Sequence, residues 1–247
     1  MDAARMKSLL REKLGITREI LALKRVQGEP EGIEPYTERN MMCGIMQDAL
    51  EENKVYYMTI KNRMCLGCVA TGMDIWPGEL DDDKLLEGVS FAVEAVNTFE
   101  SAEVAAKAEK EAMKLFPRFE ELYGSVVIGP LEKVTDPEVL IIFCNPAQAN
   151  LLTRAYCYVT GTFVKGYAGI GACRMFLPDA FVNREPAYTI SDRSWRIVLK
   201  LAPDELTLST PPDKLEIMLN NLDRSKRGGP TEEAFEKAQQ FPGNHRK

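Results

Sequence analysis

A continuous apolar run of five residues, Val139 to Phe143, is the feature that most constrains how this chain can fold. A run of this length with no polar interruption is typical of a strand that is buried on both faces. Asn145 and Pro146 follow almost at once, and this pair favours a helix that the asparagine caps and that holds the proline in its first turn. The run therefore predicts a buried strand followed directly by a helix.

Strand and helix patterns are interspersed along the rest of the chain. Apolar spacing predicts strands over residues 20–26, 54–60, 126–130, 187–191 and 196–201, and helices over residues 1–14, 38–53, 84–97, 101–115, 146–159 and 211–222. Few of the connections look like parallel crossovers. We therefore predict an α+β fold, loosely α/β, with a mixed sheet and flanking helices.

The length of 247 residues suits one large domain or two small ones. We predict a single α+β domain over residues 1–223 and a polar tail over residues 224–247. Residues 41–73 and 146–176 share one order of features: a helix, then a small-residue segment that holds cysteine. This similarity has two interpretations, a chance match or an internal duplication with halves at 15–115 and 124–223. A duplication would bring the cysteines of both halves to one interface.

Charge and hydropathy exclude several classes of partner. The net charge is −6, whereas nucleic-acid-binding proteins carry a basic face, so we expect no nucleic acid and no anionic membrane surface. No apolar run approaches the roughly 18–20 residues of a membrane span, and the charged first residues lack the apolar core of a signal peptide. We therefore expect a cytoplasmic protein, in which cysteines are free, catalytic or metal-bound.

The chain has six cysteines and one histidine. The histidine is His245, third from the end, where chains are usually mobile. This position disfavours a Ser-His-Asp or Cys-His nucleophile and a histidine-ligated zinc or haem. The chemistry left to the chain is that of sulfur, carboxylates and basic side chains.

Cys65 and Cys68 form a C-x-x-C pair among small residues, which places two soft ligands within reach of one ion or of each other. We predict that four cysteines converge on one iron–sulfur cluster or zinc ion, namely Cys43, Cys65, Cys68 and Cys173. Two alternatives stay open, a structural role and thiol–disulfide exchange. Cys144 and Cys157 are interpreted as small buried apolar residues.

A glycine-rich segment, Lys165-Gly-Tyr-Ala-Gly-Ile-Gly-Ala172, precedes Cys173. It could hold a cofactor through backbone N–H groups, with Gly169 and Gly171 in the loop, Tyr167 stacking on the ligand and Arg174 binding an anionic group. The alternatives are ordinary turn glycines and surface ion pairs. No Gly-Lys-Ser/Thr follows, so the segment is not a P-loop.

Five short motifs occur in an order that resembles a known family. They are Met42-Cys43-Gly44, Cys65 to Gly72, Phe143 to Gln148, Gly169 to Cys173, and Ser191-Asp192-Arg193. Over residues 15–222 the chain resembles the family of unknown function numbered 169, seen mainly in archaea and anaerobic bacteria. The resemblance implies that family's fold, and the family's name implies no activity. Many members carry Gly-Cys just before the Asp-Arg pair, where this chain has Thr189-Ile190-Ser191, and this departure puts a ligand role at that position in doubt.

Together these patterns predict a cysteine-ligated metal or iron–sulfur protein of anaerobic redox metabolism, partnered by a small-molecule ligand or a redox protein. One alternative is a non-catalytic module that binds a small molecule or a partner and has structural cysteines. The other is a dithiol oxidoreductase. A homo-oligomer is compatible with each, and none identifies a substrate.

Overall fold

The computed structural model describes residues 1–38, 41–62, 65, 67–74, 80–94, 97–115, 117–171 and 174–227. These residues form an eight-stranded mixed sheet with helices on both faces, which confirms the predicted α+β class. The strands are β1 (Leu21–Val26), β2 (Glu34–Pro35), β3 (Tyr56–Thr59), β4 (Ser125–Pro130), β5 (Val139–Cys144), β6 (Lys165–Tyr167), β7 (Ala187–Thr189) and β8 (Leu206–Thr210).

The strand order repeats about the centre of the sheet. The order is β2-β3-β4-β1-β5-β8-β7-β6, so each half runs outward from the centre as its first, fourth, third and second strand. In each half the second and third strands are parallel and the other neighbours antiparallel, and β1 pairs antiparallel with β5 at the centre. An internal duplication would produce this pattern. It would place β4 in the first half, whereas the predicted boundaries put residues 125–130 in the second.

The helices of the described residues divide between the two faces of the sheet. They are α1 (Ala3–Leu14), α2 (Met42–Glu51), α3 (Gly67–Ala70), α4 (Asp82–Glu94), α5 (Ala102–Met113), α6 (Pro146–Thr160), α7 (Arg193–Val198) and α8 (Pro212–Arg227). Short 3₁₀ turns occur at Ile60–Asn62 and Leu131–Lys133, and a π-helical turn at Asp179–Asn183. No helix in the described part of the chain is both long enough and apolar enough to cross a membrane.

Successive side chains of β5 point to opposite faces of the sheet, and each face has its own hydrophobic core. Val139, Ile141 and Phe143 belong to the first core, and Leu140, Ile142 and Cys144 belong to the second. Every residue of the strand is buried, as the apolar run predicts. The first core lies under α2, α3 and α7, and the second lies under α1, α6 and α8. The two cores are therefore separated by the sheet itself.

The Asn-Pro-Ala-Gln motif forms the predicted cap of α6. The Asn145 side chain accepts a hydrogen bond from the Gln148 N–H at 2.9 Å, and Gln148 Oε1 accepts one from the Asn145 N–H at 2.8 Å. This reciprocal pair is a capping box. Gln148 Nε2 also donates to the Leu14 carbonyl at 2.9 Å and so links α6 to the end of α1. The motif therefore has a structural role on the second core.

The structure differs from the sequence pattern in three places. Residues 196–201, predicted as a strand, lie in and just after α7, because Asp192 caps that helix by accepting from the Trp195 N–H at 2.9 Å. Strand β8 is not predicted by the pattern, since its sequence mixes serine and threonine with leucine. The helix predicted to end near Leu222 continues to Arg227 with Ser225 buried, so the first residues assigned to the polar tail belong to α8.

Candidate functional site: a thiol cluster at the start of α2

The Cys65 sulfur lies at the N-terminal end of α2. Helix α2 begins after Met41, whose side chain makes no capping hydrogen bond. The Cys65 Sγ takes that place, because it accepts a hydrogen bond from the Met42 N–H at 3.4 Å. It accepts a second from the Gly67 N–H at 3.4 Å, at the first residue of α3. The backbone thus holds the sulfur in place, and the Cys65 residue is partly exposed.

Backbone donors of this kind favour negative charge on a sulfur. The first N–H groups of a helix have no partner within the helix and carry its positive end. Reactive cysteines are found in such partly exposed, electropositive surroundings. The sulfur ligands of iron–sulfur clusters accept similar hydrogen bonds, which tune the cluster's potential. Two backbone N–H groups thus fix the position of the Cys65 sulfur at the start of α2 and α3.

Cys43 lies beside Cys65 in the first turn of α2 and is 7% exposed. Burial raises the pKa of the Cys43 thiol to about 12, and charges on Cys65 and Asp192 raise it further. Such charge effects require the three groups to be near one another. The tertiary structure thus brings together the Met-Cys-Gly motif, the C-x-x-C motif and the Asp-Arg motif, which are far apart in sequence.

Cys68 is the second residue of α3 and is 1% exposed. It lies in the first core together with Cys43, and Cys65 packs against the edge of that core. The end of α3 is fixed by local hydrogen bonds: the Thr71 hydroxyl donates to the Gly67 carbonyl at 3.0 Å, and the Met73 N–H donates to the Cys68 carbonyl at 2.8 Å. The C-x-x-C pair therefore consists of a partly exposed thiol before the helix and a buried thiol within it.

Tyr167 of the glycine-rich segment points into the protein and is bound there. Its hydroxyl donates to the carboxylate of Asp179, which is fully buried in the π-helical turn. Lys165 Nζ and Asn183 Nδ2 also donate to that carboxylate, each at 2.8 Å. Burial raises the pKa of Tyr167, and the hydrogen bond to Asp179 raises it further. These contacts tie the edge strand β6 to the rest of the first core.

Arg174 is also engaged within the protein. Its guanidinium binds the carboxylate of Glu109 in a two-pronged ion pair, with Nη1 at 2.7 Å from Oε2, and the two residues are 5% and 3% exposed. Gly171 makes room for this side chain, since a Cβ at that position would lie 2.7 Å from Arg174 Nε. Gly171 has a φ of +73°, which also favours glycine. A structural requirement thus accounts for this glycine, and the predicted cofactor role of Gly169, Gly171, Tyr167 and Arg174 stays a prediction.

The structure describes two of the three remaining cysteines, Cys144 and Cys157. Cys144 and Cys157 belong to β5 and α6, with Cys144 buried in the second core, on the opposite face from Cys43 and Cys68. Cys173 lies outside the described residues, so its predicted part in the cluster stays a prediction. Within the described ranges, no three histidine, cysteine, aspartate or glutamate side chains are grouped so as to hold a metal ion.

Two important acidic residues carry no signal in the sequence. Glu109 lies in a helix rich in alanine, glutamate and lysine, where nothing in the sequence distinguishes a buried glutamate from an exposed one. Asp179 follows Leu177-Pro178 in a π-helical turn that has no sequence pattern of its own. Only their packing partners identify them, because an acidic side chain is buried where a cation or donors are available to pair with it.

The fold and this site define an α+β protein with a repeated strand order and a thiol cluster on one face of its sheet. The family model described as "Uncharacterised ArCR", domain of unknown function 169, matches residues 9–221. The chain belongs to this family. It is 25% identical over 226 residues to the uncharacterized protein MJ0308 of Methanocaldococcus jannaschii. The aligned region covers 88% of this chain and 92% of that protein. No solved structure matches the chain significantly.

Gly67 is expected to be intolerant of even a methyl group. A Cβ at this position would lie 2.7 Å from Met42 Cβ and 3.2 Å from Cys65 Sγ. Gly67→Ala should therefore lower the free energy of unfolding by about 1–3 kcal/mol in urea denaturation, as overpacking does. It should also weaken the hold on the Cys65 sulfur, measured as a changed alkylation rate of Cys65.

Gly88→Ala provides the matched control for this prediction. Gly88 lies within α4, and a Cβ there would meet nothing within 4 Å. The substitution should raise stability by up to about 1 kcal/mol, because alanine favours helix more than glycine does. Equal effects of the two substitutions would contradict the close packing of α3 against the start of α2.

Proposed function

We propose that this protein carries out thiol–disulfide exchange, with Cys65 as the attacking thiolate and Cys68 as the resolving thiol. The observation that carries the proposal is the setting of the Cys65 sulfur: partly exposed, and hydrogen-bonded to the N–H groups of Met42 and Gly67. Cys68, three residues later, supplies the second thiol that such exchange needs. Reduced thiols persist in a reducing compartment, so the proposed location is the cytoplasm.

The proposed reaction moves two electrons from the protein to a disulfide substrate. The Cys65 thiolate attacks one sulfur of the substrate, forms a mixed disulfide and releases the other substrate sulfur as a thiolate. The Cys68 thiol then loses its proton and attacks the Cys65 sulfur, which releases the second substrate thiolate. The products are a Cys65–Cys68 disulfide and two substrate thiols, once those thiolates have taken up protons. A second thiol compound must reduce the protein for another cycle.

The thiol of Cys43 supports a second candidate function, the binding of a soft metal ion or an iron–sulfur cluster. Exchange needs two thiols, whereas Cys43 supplies a third beside Cys65. Its pKa, raised to about 12, keeps Cys43 protonated at neutral pH unless a cation is present. A bound metal ion deprotonates the thiols that coordinate it. The sequence-based prediction names Cys43, Cys65, Cys68 and Cys173 as ligands of zinc or an iron–sulfur cluster, although the three of them that the structure describes are not grouped as a ligand set.

The test of exchange uses a small disulfide, hydroxyethyl disulfide, with dithiothreitol as the reductant for the full-length protein. Wild type should accelerate its reduction, and Cys65→Ser should bring the rate to the uncatalysed background. Cys68→Ser should accumulate the mixed disulfide at Cys65, visible by mass spectrometry. The control is Cys157→Ser, which removes a partly buried thiol of α6 and should leave the rate unchanged.

Three outcomes of these measurements decide between the candidates. A rate in wild type that equals the background would reject exchange. Anaerobic purification followed by zinc, iron and sulfide analysis tests the metal candidate, which predicts metal in wild type and loss of it in Cys43→Ser and Cys65→Ser. A protein that neither reduces the disulfide nor contains metal would be a binding module with structural cysteines.

A further inference from the structure

The helical hairpin of α4 and α5 has a hydrophobic cluster of its own. Its buried residues are Leu85, Val89, Ala105 and Ala106, and they form a cluster separate from the two cores of the sheet. In the chain, the hairpin is inserted between α3 and β4. A unit with its own small cluster can separate from its neighbours at a lower cost than a strand of the main core.

Two contacts attach α5 to the region of the thiol cluster. Val69 of α3 is buried in a small cluster with Ala112 of α5, against which Met113 packs. One turn earlier in α5, Glu109 forms its buried ion pair with Arg174. Glu109 and Ala112 are three residues apart and so lie on one face of α5, by which the helix contacts both α3 and Arg174.

Helix α3 depends on these neighbours because it is only four residues long. A helix of that length has no stability of its own in water. Cys68 and Ala70 pack into the first core, and Val69 packs against α5, so the helix is held between the two. Loss of the α5 side would leave α3 held by the sheet core alone.

We propose that the Glu109–Arg174 ion pair is a positioning clamp that keeps α5 against α3 and thereby keeps the Cys68 thiol inaccessible. This inference draws on the proposed function only in naming Cys68 as the resolving thiol. While the clamp is closed, Cys65 is the sulfur that meets reagents and substrates. Opening the clamp would release α3 and expose the second thiol, so the pair sets the order in which the two sulfurs react.

The ion pair suits this role because each of its charged side chains is stable in the buried site only while its partner is present. Removing one partner leaves a buried charge without its counter-ion, which is strongly unfavourable. Replacing both partners by apolar residues of similar volume is often neutral. Each single substitution should therefore loosen α5, whereas the double substitution should leave it in place; an unchanged Cys144 distinguishes this local effect from a general loss of stability.

The experiment measures the alkylation rate of each cysteine by iodoacetamide, resolved by peptide mass spectrometry, in the full chain without any disulfide substrate. Arg174→Met and Glu109→Leu should each raise the Cys68 rate at least about tenfold, because local opening controls access to a buried thiol. The double variant should restore protection. Arg174→Lys, which keeps the charge but loses the two-pronged geometry, should give an intermediate rate.

Cys144 reports on the rest of the fold, since it is 1% exposed in the core on the opposite face of the sheet. Its rate should stay unchanged in every variant. Arg184→Met, which breaks an exposed ion pair with Asp213, should change neither rate. Unchanged Cys68 labelling in both single variants would overturn the clamp, as would a parallel rise of Cys68 and Cys144. Because no substrate is present, failure of the exchange reaction would leave this result intact.

Discussion

Replacing Trp195 by alanine is expected to lower the free energy of unfolding by about 3–5 kcal/mol, which is the usual cost of removing a buried large aromatic side chain. Trp195 is 2% exposed in the first core. Its ring packs edge-to-face on Phe176 with centroids 5.6 Å apart, and its Nε1 donates to the Thr207 hydroxyl at 3.1 Å. The substitution would open a cavity and remove a buried hydrogen bond together. Urea denaturation followed by circular dichroism measures the loss.

One variant distinguishes the cost of the cavity from the cost of the lost hydrogen bond, and a second variant is a control. Trp195→Phe keeps much of the apolar volume, loses the donor to Thr207 and should cost less than the alanine variant. Ile197→Ala alters the same helix, but Ile197 is 63% exposed, so its effect should stay within about 0.5 kcal/mol. A loss in Trp195→Ala no larger than that in Ile197→Ala would contradict the packing of α7 on the first core.

The free energy of unfolding is expected to fall as the pH rises above 9, with a resolvable share from Cys43. The folded state raises the pKa of this thiol from 9.0 to about 12. Below pH 9 the thiol is protonated in both states and its contribution is complete. Between pH 9 and 12 the unfolded chain releases the proton and the folded chain retains it, so the unfolded state is favoured. The loss should be about 1.4 kcal/mol per pH unit for this one group.

Cysteine-to-alanine variants distinguish the contribution of Cys43 from the contributions of other groups that titrate in the same pH range. In Cys43→Ala, the slope of stability against pH above 9 should be shallower by about 1.4 kcal/mol per pH unit. Cys144→Ala should show a similar change, since burial raises the pKa of that thiol also to about 12, with a smaller contribution from the charge of Glu205. Cys157→Ala serves as the control because its side chain is only partly buried. Parallel curves for wild type and Cys43→Ala would contradict the buried setting of Cys43.

Much of the fold was predictable where local pattern and burial agree. The apolar run of β5 and the Asn145 cap of α6 follow from short-range chemistry, and both lie where the sequence places them. The apolar pattern predicted the wrong element at residues 196–201. Apolar residues that suit a strand also suit the short helix α7 once Asp192 caps it. The pattern failed again at β8, whose buried hydroxyls bond to neighbouring groups: Ser209 Oγ, for example, donates to the Phe176 carbonyl at 2.8 Å.

The residue types of the candidate site could be predicted from the sequence, but their hydrogen-bond and ion-pair partners could not. The C-x-x-C pair and the family motifs single out Cys43, Cys65 and Cys68 from the order of residues alone. The donors to the Cys65 sulfur, however, are backbone N–H groups of Met42 and Gly67, and backbone groups leave no mark on a sequence. The arginine of the predicted ligand loop, Arg174, is held against Glu109, a residue 65 positions away.

Local chemistry, which depends on neighbours a few residues apart, determined most of the helix and strand segments, the cap of α6 and the small-residue setting of the thiols. Tertiary structure alone decided that α2 and α3 share one sulfur as their common acceptor. It also decided that Asp192 approaches Cys43 and that the sheet separates Cys144 from the cluster. The physical reason is that burial and electrostatic interactions depend on distance in space, and a chain of this length permits many pairings that its local pattern does not distinguish.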